Sequence, residues 1–416
     1  MKRIQTIVCL VVTLFAARAV AQDIEGEKLT LTLPQAVDRA LENYPAIAIQ
    51  QDAVKRAQGL KTTAGIFPNP TLTYYREDLS FNDTDVGEWI LSGGLPLHFL
   101  WTRWSKVAAA GQQVEAERFF LADVRRQITF EVQKAYVETY FAEKNLQAWQ
   151  KATAVFDRAA EAGRARFADG DLSGYDQQRI ALEQLRYQKV AAEARVTLNN
   201  SRRQLAFLVN PEQDDVLVHT TDDFQTPTPE LTEQNLLDSA LENRPDLQAA
   251  SATLRSKRAY LTANKWQALP EVSAVAGYKK QVDDFKGSVF QVNVSIPIFD
   301  RNQGQIKTAR AELDQQILET GLLERKIAME VKQAFETVRL YRRQVEQFLQ
   351  MESESPDEFL ETALFAYREG EMSLLELLDG VRAYSESFQT RNDLRRQYLL
   401  SIFALENATA TRLLDF

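Results

Sequence analysis

Two short stretches, 200 residues apart, interrupt long helical patterns in the same way. FADGDLSGYD occupies 167–176 and YREGEMSLLE occupies 367–376. Aligned without gaps, Phe167 meets Tyr367, Asp169 meets Glu369, Gly170 meets Gly370, Asp171 meets Glu371 and Ser173 meets Ser373. The same offset carries ALENYP at 40–45 onto ALENRP at 240–245, and Pro70 onto Pro270. LPL at 95–97 returns as IPI at 296–298. Ordered matches at one long period mean that the chain is built from two structural copies. We assign them to 22–210 and 232–416. The segment 211–231 between them is rich in Pro, Asp and Thr and reads as a linker or equatorial segment.

Each copy follows one plan. An opening helix is expected over 34–66 and again over 232–268, with Pro34 suited to a first helical turn. A strand pair follows, at 70–79 and 88–97 in the first copy and at 270–280 and 288–298 in the second. A very long helix comes next, 101–167 and 304–366. The glycine turn then leads into a return helix, 174–208 and 374–412. Within the second long helix, Ile327, Val331, Ala334, Val338, Tyr341, Val345 and Phe348 recur at alternating spacings of four and three. That is a heptad seam for a coiled-coil-like neighbour. The opening and return helices placed end to end match the long helix in length, so one continuous helix runs beside two shorter ones.

The strands raise the question of a membrane. In SVFQVNVSIPI, Phe290, Val292, Val294, Ile296 and Ile298 alternate with polar residues. EWILSGGLPL puts Trp89, Leu91, Leu95 and Leu97 on the matching face. Each strand is near the roughly 9–11 residues that a tilted strand needs to cross a bilayer. Phe99, Trp101 and Trp104 cluster past the second strand, where an interfacial aromatic girdle belongs, and Trp89 lies on the apolar stripe itself. Four strands cannot close a barrel, and an open edge is not tolerated in lipid. A membrane reading therefore requires several chains, two giving 8 strands or three giving 12. The other reading is a soluble periplasmic coiled-coil scaffold with a four-stranded sheet packed on helices.

The N-terminus bears on location. Lys2 and Arg3 precede an apolar run from Ile7 to Phe15, and Ala19-Val20-Ala21 is an A-x-A cleavage pattern. Residues 1–21 read as a secretory signal peptide, too short to span a membrane as a helix. Cys9, the only cysteine, lies within it, which excludes disulfides and thiolate metal sites from the mature chain. The formal net charge of −9 becomes −12 once Lys2, Arg3 and Arg18 are removed, which argues against nucleic acid as a partner. With only two histidines, His98 and His219, and no catalytic motif, nothing points to an enzyme, a metal site or a cofactor.

Taken together, the order, duplication and spacing of these segments resemble the TolC family of outer-membrane efflux proteins. The residues that carry the resemblance are LTLPQAVDRALENYP, FPNPTLTYY, LTEQNLLDSALENRPDL, SIPIFDRNQGQI and the two tip turns. It covers essentially the whole mature chain. It implies a mainly α fold with a small β part. In a homotrimer, long helical hairpins form an α-barrel tunnel across the periplasm, and four strands per chain complete a 12-stranded barrel in outer-membrane lipid. It further implies a periplasmic adaptor and an inner-membrane pump of the RND type as partners. PNPTLTYYRED looks like the heavy-metal branch of the family.

By the same resemblance, the two glycine turns are the periplasmic tips. Asp176, Glu376 and Asp379 correspond to acidic gate positions facing the lumen. Tyr367 corresponds to a tyrosine that bonds across the tip, so a Tyr367–Asp176 hydrogen bond is expected. Met372 stands where some relatives carry an arginine, so a second latch is absent or replaced, with Arg368 as a candidate. The adaptor-contact triplets implied are Gly170-Asp171-Leu172 and Gly370-Glu371-Met372.

Overall fold

The computed structural model describes residues 28–82, 84–212, 217–222, 224, 232–351 and 356–414. The assigned signal peptide and Cys9 lie outside the described residues, as does most of the 211–231 segment.

In the first copy β1 (Lys28–Leu31) leads into α1 (Leu33–Asn43) and α2 (Pro45–Gly65), then β2 (Thr71–Phe81), β3 (Thr84–Pro96), α3 (Phe99–Ala168) and α4 (Gly174–Val209). After β4 (Leu217–Thr220), the second copy runs α5 (Glu233–Asn243), α6 (Pro245–Trp266), β5 (Glu271–Gln281), β6 (Lys286–Ser295), α7 (Gln303–Met351), α8 (Pro356–Glu369) and α9 (Leu374–Thr409). The expected order is reproduced in both copies, except that the second long helix, expected over 304–366, is two helices, α7 and α8, with residues 352–355 between them outside the described residues.

The opening helices differ from expectation, because each is broken in two. Pro45 and Pro245 have no N–H to give to the preceding turn, and a proline steers the residue before it out of the helical region. Tyr44 accordingly has φ −72° and ψ 122°, and Arg244 has φ −64° and ψ 120°. The repeated ALEN-x-P motif is thus a helix break that restarts at its own proline. Ahead of it, the side chains of Thr32 and Gln35 cap α1 reciprocally.

With 70 residues, α3 is the spine of the molecule. At 1.5 Å per residue it is about 105 Å long. Along one flank it packs on α2 and then α4, and along the other on α6 and then α9. The second long element, α7, lies against α6 and then α9 in turn. The chain is therefore a wall four helices wide. The seam residues Ile327, Val331, Val338 and Val345 are all buried, and Ala334 and Tyr341 pack beside them.

Two cores hold the wall together. The larger lies midway along α3, where α1, α5, β1, β4 and the end of α9 gather around Val132, Tyr136, Phe141, Ile402 and Phe403. Within the 211–231 segment, Leu217–Thr220 pairs in parallel with Lys28–Leu31. The Tyr136 hydroxyl fastens this small sheet, donating to the Leu31 carbonyl at 2.8 Å and accepting from the Thr221 N–H at 3.1 Å. At the break in the second copy, the buried Arg244 guanidinium donates to Asp246 at 3.0 and 2.6 Å, to Glu330 at 2.6 Å and to the Ala408 carbonyl at 3.2 Å. The smaller core lies toward the glycine turns and includes Phe156, Ile180, Tyr367, Leu377 and Tyr384.

Candidate channel: the sheet and the tips

The larger sheet has the order β2-β3-β5-β6 and is antiparallel throughout. Its register sorts residues between two faces. Leu72, Tyr74, Leu91, Leu95, Ala274, Phe290, Val292 and Val294 share one face. Phe290 is 82% exposed and Leu72 80%, and nothing among the described residues covers this face. The other face carries Thr71, Thr73, Ser92, Ser273, Gln291 and Asn293, with an ion pair between Glu88 and Lys279 nearer the hairpin turns. An apolar face of this extent belongs against lipid, and a polar face of this composition belongs in water. Both outer strands, β2 and β6, leave one edge unpaired. Lipid does not tolerate that, so copies must join edge to edge. No helix among the described residues is long and apolar enough to cross a membrane.

The expected interfacial aromatics fall at two levels. Trp89 lies near the hairpin turns, its ring 6.5 Å from that of Tyr74 and 5.9 Å from that of Tyr278. Phe99, Trp101 and Trp104 lie at the opposite end of the sheet, at the start of α3. Phe99 stacks edge-on to Phe67 at 5.4 Å, Trp101 is half-buried and Trp104 is 83% exposed.

At the far end of α3 the two glycine turns have one geometry. Gly170 has φ +83° and Gly370 φ +79°, a region that glycine enters without the Cβ penalty. In the first turn the Gly170 N–H reaches the Phe167 carbonyl at 3.1 Å and the Asp171 N–H reaches that of Arg166 at 2.8 Å. In the second, Gly370 and Glu371 do the same to Tyr367 and Ala366 at 3.2 and 2.9 Å. Each return helix is then capped by serine. Ser173 Oγ accepts from the Asp176 N–H at 3.1 Å, and Ser373 Oγ from that of Glu376 at 3.3 Å.

These caps occupy two of the candidate gate acids. Asp176 Oδ2 accepts from Ser173 Oγ at 2.7 Å. Glu376 accepts from the Ser373 N–H at 2.8 Å, and that bond holds its carboxyl below the usual range. Asp379 stays exposed, 4.0 Å from Arg382. The expected Tyr367–Asp176 hydrogen bond is not formed. Tyr367 is only 1% exposed and its hydroxyl has no hydrogen-bond partner. Burial pushes the phenol pKa up, Arg166 opposes this, and Asp176 adds to it through space. The acid is near, but the serine three residues before it has taken its oxygen. Of the tip triplets, Gly170, Asp171, Gly370 and Glu371 are exposed, whereas Leu172 and Met372 turn onto the tip core.

Two arginines of α3 that the sequence reading passed over hold α8. Arg166 donates to the Tyr367 carbonyl at 3.3 Å, and its guanidinium lies 5.6 Å from the centre of the Tyr367 ring. Arg158 makes a bidentate pair with Glu361, at 3.0 and 2.6 Å. Arg368, the candidate replacement for the missing arginine, makes no described contact across the tip. The signal for Arg166 was its place in the last turn of a helix, where a cation meets free carbonyls. Gly163 was also missed. A Cβ there would come within 2.8 Å of Ile180 Cδ1, so any larger residue would have to push the Ile180 side chain aside where α3 meets α4. Among the described residues no group of His, Asp or Glu could hold a metal ion.

A lipid-facing sheet open at both edges, continued by a wall of helices about 100 Å long, defines a channel-forming protein of the outer membrane and periplasm. The family described as outer membrane efflux protein matches residues 236–411. The cobalt-zinc-cadmium resistance protein CzcC of Cupriavidus metallidurans is 25% identical over 289 residues, 68% of this chain and 67% of the relative. Among solved structures, CusC superposes with a TM-score of 0.72 at 18% identity, covering 92% of each chain. The outer-membrane channel CmeC of Campylobacter jejuni superposes with a TM-score of 0.74 at 16% identity, covering 93% of this chain and 86% of that one. The chain thus matches the outer membrane efflux protein family over residues 236–411 and has the fold of these outer-membrane channels along nearly its whole length. It is an outer-membrane exit duct of a tripartite efflux system, which an adaptor and an inner-membrane pump complete.

Proposed function

We propose that this duct exports divalent metal cations for a pump of the RND type, and that its two glycine turns are the gate and the adaptor seat. The observation that carries the gate is the cross-brace from Arg166 to Tyr367, which ties the second tip to the first. Opening the periplasmic end moves α8 away from α3 and breaks that brace. Asp379, together with the capped Asp176 and Glu376, places acids next to the opening. Three copies of an exposed acid favour cations over anions. Gly170-Asp171 and Gly370-Glu371 present carboxylates to a cationic adaptor surface, with Leu172 and Met372 anchoring each turn from inside.

The metal assignment draws on the relative named for cobalt, zinc and cadmium resistance. A passive duct needs no ligating cluster, and it performs no catalysis. The test is deletion of the gene and growth on cobalt, zinc, cadmium and a panel of dyes. Selective sensitivity to the metals, restored by the wild-type chain, supports the reading. Sensitivity to the dyes alone refutes it.

A further inference from the structure

One row of residues crosses all four strands of the sheet in register. Arg76 on β2 pairs with Trp89 on β3, Trp89 with Lys280 on β5, and Lys280 with Lys286 on β6. Each stands two residues along its strand from Tyr74, Leu91, Tyr278 and Ser288, so the row lies on the same face as the apolar band. The ring contacts of Trp89 with Tyr74 and Tyr278 confirm the shared face. Three of the four positions are therefore cations facing lipid, directly above a row that holds Tyr74 and Tyr278. Eight residues separate Trp89 from Leu97, which for a tilted strand is about 20 Å of height. Phe99, Trp101 and Trp104 follow at the lower level. The cations thus stand at the headgroup level at the end of the barrel away from the periplasmic helices.

Local acids offset part of this charge. Arg76 pairs with Asp78 at 2.8 Å and Lys280 lies 3.6 Å from Asp284, which is 91% exposed at the hairpin turn. Lys286 has no ion pair among the described residues. A lysine on a lipid-facing strand is costly at mid-bilayer and costs little at the interface. Lys286 and the exposed heads of Arg76 and Lys280 present cations at the level where lipid headgroups carry negative charge. Joining copies edge to edge places Lys286 of one chain beside β2 of the next, so the row closes into a belt.

We propose that Arg76, Lys280 and Lys286 bind the phosphate-bearing headgroups of anionic lipid in the outer leaflet, with Trp89, Tyr74 and Tyr278 seating the headgroup–acyl boundary. The belt anchors the barrel at a fixed depth and shields the seams between chains.

The experiment uses the assembled protein in nanodiscs of phosphatidylcholine, alone or doped with bisphosphorylated lipid A or with its dephosphorylated form. The readouts are the temperature at which the oligomer dissociates and the lipid retained in native mass spectra. The phosphorylated lipid is expected to raise the dissociation temperature and to remain bound, and the dephosphorylated lipid to do neither. The triple variant R76Q/K280Q/K286Q should retain the phosphorylated lipid at least about tenfold less well. The charge-preserving variant R76K/K280R/K286R should behave as wild type. High salt should shrink the wild-type shift, a check that stands even where the glutamine variant does not assemble. Equal shifts with both lipids, an unaltered glutamine variant, or a shift that high salt leaves intact would each overturn the proposal. The same shift from inorganic phosphate alone would assign the row to free anions instead.

Discussion

Replacing Arg166 with alanine should open the periplasmic end, and the structure sets the size of the effect. The guanidinium gives the Tyr367 carbonyl one hydrogen bond at 3.3 Å, long for a charged donor. A charge-assisted bond is worth about 1.5–3 kcal/mol at good geometry, so about 1 kcal/mol is a fair value here. Its place over the Tyr367 ring, at 5.6 Å, is near the outer limit of a cation–π contact and adds about 0.5 kcal/mol. The brace then biases each protomer toward the closed tip by about 1.5 kcal/mol, roughly tenfold in equilibrium. If three tips open together the bias is about 4.5 kcal/mol, enough to turn a rarely open channel into a mostly open one. The assay is single-channel conductance of the purified oligomer in a planar bilayer, comparing Arg166→Ala with Tyr367→Phe. Because the Tyr367 hydroxyl has no partner, Tyr367→Phe should leave conductance unchanged. Arg166→Ala should raise the open fraction. The reverse pattern, an open Tyr367→Phe channel and a silent Arg166→Ala, would refute the brace and restore a Tyr367 latch.

Three further outcomes are expected. Gly370→Ala meets no side chain or backbone within 4 Å, so its cost is the backbone strain of φ +79°, about 1–2 kcal/mol; it should appear as faster proteolysis at the second tip with global melting nearly unchanged. Gly163→Ala pushes against Ile180 and should destabilise the tip core by about 1–3 kcal/mol, with Ile180→Val recovering part of the loss in thermal melts. Arg244→Ala strands Asp246 and Glu330 at the helix break; since Glu330 keeps 32% of its side-chain surface, we expect about 3 kcal/mol, at the low end for a broken buried pair, read by circular dichroism melts. Burial alone raises the Asp246 pKa, but the Arg244 bonds outweigh it and hold the carboxyl low. That stabilisation is present above the ordinary aspartate pKa of about 4 and is lost as pH falls through the depressed value, so Asp246→Asn should flatten the acid limb of stability.

The parts legible in the sequence were those with a period. Heptad spacing from Ile327 to Val345, alternation from Phe290 to Ile298 and the doubled glycine turns each express a local regularity. The seam and the turns reappear at the expected place, and the strand does so as far as Ser295, with Ile296 and Ile298 lying beyond its end. The helix breaks at Tyr44 and Arg244 were equally local, since a proline follows each, but the apolar pattern on either side of them favoured an unbroken helix. β1 and β4 are four residues each, too short for alternation to register, and only burial of Val218 against Leu31 and Tyr136 makes them a sheet. The missing Tyr367–Asp176 bond was also readable in hindsight. Ser173-x-x-Asp176 is itself a capping pattern, and a partner three residues away is won at less entropic cost than one across the tip.

What no one-dimensional pattern carries is the meeting of distant charges. Arg166 and Tyr367 are 201 residues apart, and neither has a sequence neighbour that announces the other. Arg76, Lys280 and Lys286 look like scattered surface cations until the β2-β3-β5-β6 register aligns them. Such contacts follow from the duplication itself. Two copies of one helix–hairpin plan, laid side by side, bring equivalent turns together at one end and equivalent strands together at the other. The divergence between copies then falls at those contacts: an arginine on the first helix facing a tyrosine on the second, a tryptophan on the first hairpin flanked by a lysine on the second. A duplicated chain can change one copy without its twin, so its asymmetric contacts are where function has most freedom to specialise. In this chain the brace at the tip and the cation row in the membrane are both of that kind.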